Sequence, residues 1–336
     1  MNFQKPLFIF QILILIFITF FHTILFNVSS EQSNQEITSP FIEPTQLDYI
    51  DVNLKRWENY MKINGTNIYW WKYIYSQKNQ TFPIYIPKAR TVCPKGINSK
   101  WIVTSFATGA HRLKQVEKLK ESAISIGGAD EFWLYESKDL DPDWLEMNKN
   151  IMEHKDGMGC WAWKPFLIWK ALLKMNEGDI LFWVDSDTYF LRNASDYFCL
   201  TQDLDILIFH LSPPSPGKVW TDRQAFLLTN TDSPQFTDTR LILGGYFMVK
   251  KTDKMMRFIA EWMIYSQDER IVCALANILP NYDEFYRHRY DQSILSIISK
   301  KFKLFSIPTP AQWAITEEDK ILRKLSGVEI DLLYHQ

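Results

Sequence analysis

Two aspartates separated by one residue, Asp185 and Asp187, follow an unbroken apolar run, Ile180-Leu-Phe-Trp-Val184. Open α/β sheets bind ligands at the carboxyl ends of their strands, so a buried strand emptying into two carboxylates sets both at that edge. Two hard oxygen ligands so spaced can share Mg²⁺ or Mn²⁺, which then bridges to phosphate oxygens. A metal held there offsets the charge that grows on a departing diphosphate. The same short string also makes a good solvated turn, since Asp and Ser are turn formers.

A second run, Gly157-Met-Gly159-Cys-Trp161-Ala-Trp163-Lys164-Pro165, stands just before a helical pattern. Its glycines permit close backbone approach to a ligand, and Lys164 can meet phosphate at the helix start. Pro165 suits a first helical turn. Trp161 and Trp163 serve equally well as core anchors.

The elements that must carry these residues are legible from periodicity. Apolar runs predict strands over 101–106, 132–135, 180–184 and 204–209, with 241–249 continuing the sheet. Leu113, Val116, Leu119, Ala123 and Ile126 mark the inner face of one helix, and further helices are predicted over 164–175, 254–265 and 291–300. Strands alternating with helices predict an α/β domain with a mostly parallel central sheet flanked by helices.

The first 98 residues have a different character. Residues 7–26 hold 20 residues with only Gln11, Thr19, His22 and Thr23 polar. As a helix that run spans ~30 Å, the hydrocarbon thickness of a bilayer. With Lys5 before it, the expectation is a six-residue cytosolic tail (1–6), a transmembrane signal anchor (7–26) and a polar stem (27–48). Val28-Ser29-Ser30 offers a cleavage site for the rival reading, a signal peptide, but the run is longer than the ~7–15 residues of a signal core. Residues 49–97, with Trp57, Tyr69, Trp70, Trp71 and Tyr85, are too aromatic for a tether and are expected to pack on the main domain. Asn-x-Ser/Thr triplets at Asn27, Asn64, Asn79 and Asn193 agree with lumenal exposure. So do four cysteines, Cys93, Cys160, Cys199 and Cys273, which allow one or two disulfides or buried thiols. A net charge of −2 gives no field for holding nucleic acid.

Taken in order, GMGCWAWKP, ILFWVDSD, LILGGYFMVKKT and HRYDQSILSII resemble glycosyltransferases of the GT-A fold, over residues 98–308. The resemblance implies a GT-A-like domain over 98–325, with an N-terminal transmembrane helix before it. It also implies a Golgi membrane enzyme of single-pass type II topology, moving a glycosyl group from a nucleotide-sugar donor to a glycan, glycoprotein or glycolipid acceptor. By residue, it gives Asp185 and Asp187 the metal (Mn²⁺ or Mg²⁺) and the donor diphosphate. Thr104, Trp163, Lys164, Gly244 and Gly245 are implied around the donor, and Asp291 and Gln292 at the reacting sugar. Asp291 is equally an apt helix N-cap. His210 and His288 are further candidate metal ligands, although structural roles suit both. The string Val184-Asp185-Ser186-Asp187-Thr188 also fits haloacid-dehalogenase phosphatases, and a non-catalytic lumenal carbohydrate-binding protein could keep the same fold.

Overall fold

The computed structural model describes residues 99–212, 215–311, 317–326 and 331–335. The expected tail, anchor, stem and aromatic segment lie outside these residues. No helix among the described residues is long and apolar enough to cross a membrane.

The order of the principal elements is β1 (Trp101–Phe106), α1 (Gly109–Ser125), β2 (Glu131–Tyr135), α2 (Trp163–Lys174), β3 (Ile180–Val184), β4 (Thr188–Phe190), α3 (Ser195–Leu204), β5 (Ile206–His210), β6 (Tyr246–Lys250), α4 (Asp253–Ser266), α5 (Asp291–Lys301), β7 (Ser306–Pro308), α6 (Glu317–Ser326) and β8 (Leu333–His335). Six strands make one sheet in the order β2-β1-β3-β6-β5-β7, and β4 pairs with β8 in a separate ribbon. The sheet is mostly parallel, as the alternating pattern predicts; β6 alone among the six runs against its neighbours β3 and β5.

Strand periodicity sorts the core into two layers. Along β3, Leu181 and Trp183 face one cluster with α2, α4 and α5, while Ile180, Phe182 and Val184 face another with α1 and α3. All five are buried, as a strand covered on both faces requires. Phe182 meets Phe190 and Phe198 edge-on, at centroid distances of 5.6 and 6.2 Å. The stack of Trp101 on Phe198, 4.4 Å apart, closes the same layer.

Two boundaries differ from the sequence pattern. Leu204 ends α3 rather than opening the strand, and Asp205 turns the chain with a φ of 67° before β5 begins. The strand expected over 241–249 is β6, which begins only at Tyr246, because residues 241–245 make an isolated bridge, Ile242 with His210, and single backbone bonds to the end of β5.

Phe182→Ala empties the centre of one layer and is expected to cost about 3–5 kcal/mol of unfolding free energy. Chemical denaturation measures it; a loss below 1 kcal/mol would contradict the two-layer core.

Candidate active site

The alternation along β3 continues past its last residue. Asp185 falls on the same face as Trp183, toward α2 and α5, and the Trp183 indole Nε1 donates to Asp185 Oδ1 at 3.0 Å. Lys164, in the first turn of α2, donates to the same Oδ1 at 3.2 Å and to the Gly244 carbonyl at 3.1 Å. Its Nζ also lies 3.5 Å from Asp291 Oδ2, at the start of α5. Lys164 is 4% exposed and Asp291 4%, so one ammonium sits enclosed between two carboxylates.

Because β6 is antiparallel, the residues leading into it arrive at the edge where β3 ends, and Val184 pairs with Tyr246. Gly245 accepts from the Asp185 amide at 2.8 Å. A Cβ on Gly245 would come within 3.3 Å of Asp185 Oδ2, and one on Gly244 within 3.0 Å of Gln292 Cβ. The two glycines are therefore what lets the Asp185 turn and the start of α5 approach one another.

Asp187 turns to the opposite side. Arg112 of α1 donates to its Oδ2 at 2.5 Å. Its Oδ1 is buried without a hydrogen-bond partner, and His335 Nε2 of β8 stands 3.4 Å away. Sequence reasoning missed both Arg112 and His335. The β4–β8 ribbon delivers His335, through the pairing of Thr188 with His335, and no local signal in a three-residue terminal strand announces that pairing.

Other expected site residues are held by structural partners. Thr104 is fully buried within β1, where its hydroxyl donates to the Trp133 carbonyl at 2.9 Å. Trp163 is a core residue: its ring packs 4.0 Å from Phe106, and its Nε1 donates to the Gly157 carbonyl at 2.8 Å. His210 is held by Ser306 at 2.9 Å and Arg240 at 2.7 Å. Burial, and then the Arg240 charge, push its pKa down to about 4. His288 is buried and accepts from the Asp222 amide at 3.1 Å, with its pKa also lowered by burial to about 4. Neither is placed at the aspartate pair.

The glycine-rich run before α2 is a left-handed turn. Gly157, Met158, Gly159, Cys160 and Trp161 all have φ between 55° and 89°. For Met158, Cys160 and Trp161 that conformation costs roughly 1–2 kcal/mol each. A disulfide between Cys160 and Cys273 locks the turn, and backbone bonds from Gly159 to His154 and from Cys160 to Asp156 close it. Cys199 is also disulfide-bonded. His154 lies near the Cys160 and Cys273 sulfurs, but those sulfurs are bonded to each other and offer no thiolate to a metal.

The electrostatics of the buried cluster are asymmetric. Burial works against the Lys164 charge, but Asp185 and Asp291 outweigh it and hold its pKa above the ordinary range. Burial pushes the Asp291 carboxyl from an ordinary 3.8 up to about 7, against the pull of Lys164 and with help from the Asp185 charge.

No protein-family model matches the chain, and no curated protein matches it. Among solved structures it is similar to a glycosyltransferase involved in the glycosylation of the major capsid of PBCV-1, at 15% identity over 70% of this chain and 92% of that one, with a TM-score of 0.36. It is also similar to mouse xyloside xylosyltransferase 1 in its apo form, at 11% identity over 71% of this chain and 97% of that one, with a TM-score of 0.40. Likeness at these values does not decide an activity, which rests on the site itself.

The raised Asp291 pKa fixes the sign of a pH dependence. Between about pH 4 and 7 the folded chain keeps a proton that the unfolded chain has released, so this group lowers stability as pH rises through that window. Asp291→Asn carries no titrating proton there. Its denaturation midpoint should therefore fall less than that of the parent chain from pH 4.5 to 7.5, and parallel curves would refute the buried, raised carboxyl.

Proposed function

We propose that this protein is a metal-dependent glycosyltransferase that moves a sugar from a nucleotide-diphosphate donor to an acceptor hydroxyl. The observation carrying this reading is the convergence of Asp185, Lys164, Gly244-Gly245 and Asp291 at the carboxyl end of β3, with Asp187 two residues on and held by Arg112. The order of motifs shared with GT-A enzymes supports the donor class.

The residues fit a divalent cation. Asp187 Oδ1 is a buried oxygen without a hydrogen bond, and Asp185 Oδ2 faces a glycine where any side chain would crowd it. Asp185 and Asp187, with His335 beside them, would hold Mn²⁺ or Mg²⁺ as an open site, leaving positions for phosphate oxygens. Among the described residues these three are not a closed cage, since the only three-ligand grouping within 4.8 Å is the one at the disulfide. When bound, the metal supplies positive charge against the leaving diphosphate.

The chain's own residues do the rest. Lys164 fixes the Asp185 carboxylate through Oδ1, which leaves Oδ2 beside Gly245. Arg112 fixes Asp187 from the other side and adds a cation at the mouth of the site. Asp291 acts through Lys164: in its ionised form it keeps the ammonium charged in a place where burial alone would discharge it. Gln292, packed against Gly244, borders the space next to that cluster. A sugar reaching past the glycines would meet the amide of Gln292 and the edge of Asp291. An anchored enzyme of the Golgi lumen, as residues 7–26 suggest, is the setting in which such donors are used.

Asp187→Ala should cut metal-dependent hydrolysis of a nucleotide-sugar by about a hundredfold or more. The variant should still melt within a few degrees of the parent chain, because Asp187 lies outside both core layers. The assay is nucleotide release from a panel of donors with Mn²⁺ and then with EDTA; normal turnover by the variant would remove the metal assignment.

A further inference from the structure

The loop from Cys273 to the start of α5 is long but firmly held. Its base is tied by the disulfide to Cys160. Its middle is read by the buried Gln224, whose Oε1 accepts from the amides of Ile278 and Leu279 at 2.7 and 3.2 Å. Its last part is sewn to Val219 and Trp220: the Tyr286 amide donates to the Val219 carbonyl at 2.8 Å and the Arg289 amide to that of Trp220 at 3.0 Å. A loop so constrained presents its side chains in fixed places.

Those side chains form a shelf. Tyr286, 74% exposed, stands edge-on to the Trp220 indole at 5.3 Å. The Arg289 guanidinium lies 4.4 Å above the Trp220 ring, and that of Arg287 lies 5.9 Å from the Tyr290 ring. Tyr290 in turn packs on Trp161 at 5.1 Å and borders a cavity of about 240 Å³ whose wall includes Lys155. Tyr290 is the residue before Asp291, so the shelf adjoins the buried cluster directly.

The two shelf arginines differ in how their charge is supported. Neither Arg287 nor Arg289 is in an ion pair among the described residues. The Arg287 pKa is raised first by its hydrogen bond with Tyr290 and then, against slight burial, by the Asp156 charge; Asp156 itself accepts from the Tyr290 hydroxyl at 2.6 Å, and Glu284 is engaged by Lys218 at 2.8 Å. Burial, and then the neighbouring Arg287 charge, push the Arg289 pKa down, and a bound anion would favour its charged form. The Arg289 guanidinium over the Trp220 ring keeps its planar N–H edge available, the geometry that matches a carboxylate or sulfate through paired hydrogen bonds. Aromatic faces beside it suit the apolar faces of a sugar ring.

We propose that Trp220, Tyr286, Arg287, Arg289 and Tyr290 form the acceptor platform, and that its acceptor is a sugar bearing a carboxylate or sulfate. This rests on the transferase reading above for the word acceptor; the binding chemistry does not. The test uses the full-length chain and four probes: a glucuronate-terminated oligosaccharide, its glucose-terminated counterpart, the sulfated form of that counterpart, and UDP. An acidic form should bind about tenfold or more tightly than the neutral one, with the advantage shrinking as salt rises. Arg287→Gln with Arg289→Gln, which keeps the side-chain stems on their rings, should abolish that advantage and leave UDP binding and the melting temperature unchanged. Equal binding of neutral and acidic forms, no binding of either, or a preference that survives the double substitution would overturn the platform. A loss of UDP affinity in the variant would overturn it too, by assigning the arginines to the donor. If the parent chain bound no nucleotide yet kept the arginine-dependent preference, the transferase reading would fall and the anionic-sugar surface would stand.

Discussion

One buried ammonium organises the molecule. Lys164 has almost no contact with solvent, and an unpaired charge in that position would cost several kcal/mol. Its partners come from three separate parts of the chain: Asp185 at the end of β3, the Gly244 carbonyl before β6, and Asp291 at the start of α5. The first turn of α2 can therefore close on the sheet only when all three arrive together. That requirement ties the helical layer to the strand edge where the acids emerge.

The antiparallel strand is part of the same solution. A parallel strand beside β3 would bring its own carboxyl end to the Asp185 edge, whereas β6 brings its amino end. The segment ahead of β6 can then be small and irregular, and it is Gly244-Gly245. Bulkier residues there would push against Gln292 and the Asp185 carboxylate. An orientation that interrupts an otherwise parallel sheet thus lets the Asp185 turn and the start of α5 close on one another.

The left-handed turn over 157–161 reaches toward the same cluster by two routes. Trp163 holds the Gly157 carbonyl from within the core, and Trp161 packs on Tyr290, the residue before Asp291. The disulfide adds a covalent link from this turn to the base of the 273–290 loop. The unfavourable backbone of Met158, Cys160 and Trp161 is maintained by these contacts, as strain at candidate functional sites generally is. Buried residues beneath the site and exposed residues beside it are consequently coupled through one short turn.

The sequence by itself determined the layers and the location of the acids. The unbroken apolar run Ile180–Val184 and helical spacing in 109–125 and 253–266 are properties of neighbouring residues, so they can be read without knowing the partners. Asp185 and Asp187 at a strand end, Lys164 at a helix start and Asp291 opening α5 were legible for that reason. Tertiary structure decided which of them meet. It set the Thr104 hydroxyl against a neighbouring strand's carbonyl and Trp163 into the core. It also split the aspartate pair between Lys164 on one side and Arg112 with His335 on the other. These outcomes depend on strand order, on the direction of β6 and on a ribbon closed by the last described strand. Contacts between residues so distant in the chain are fixed by how whole elements pack, and no local period in the sequence encodes them.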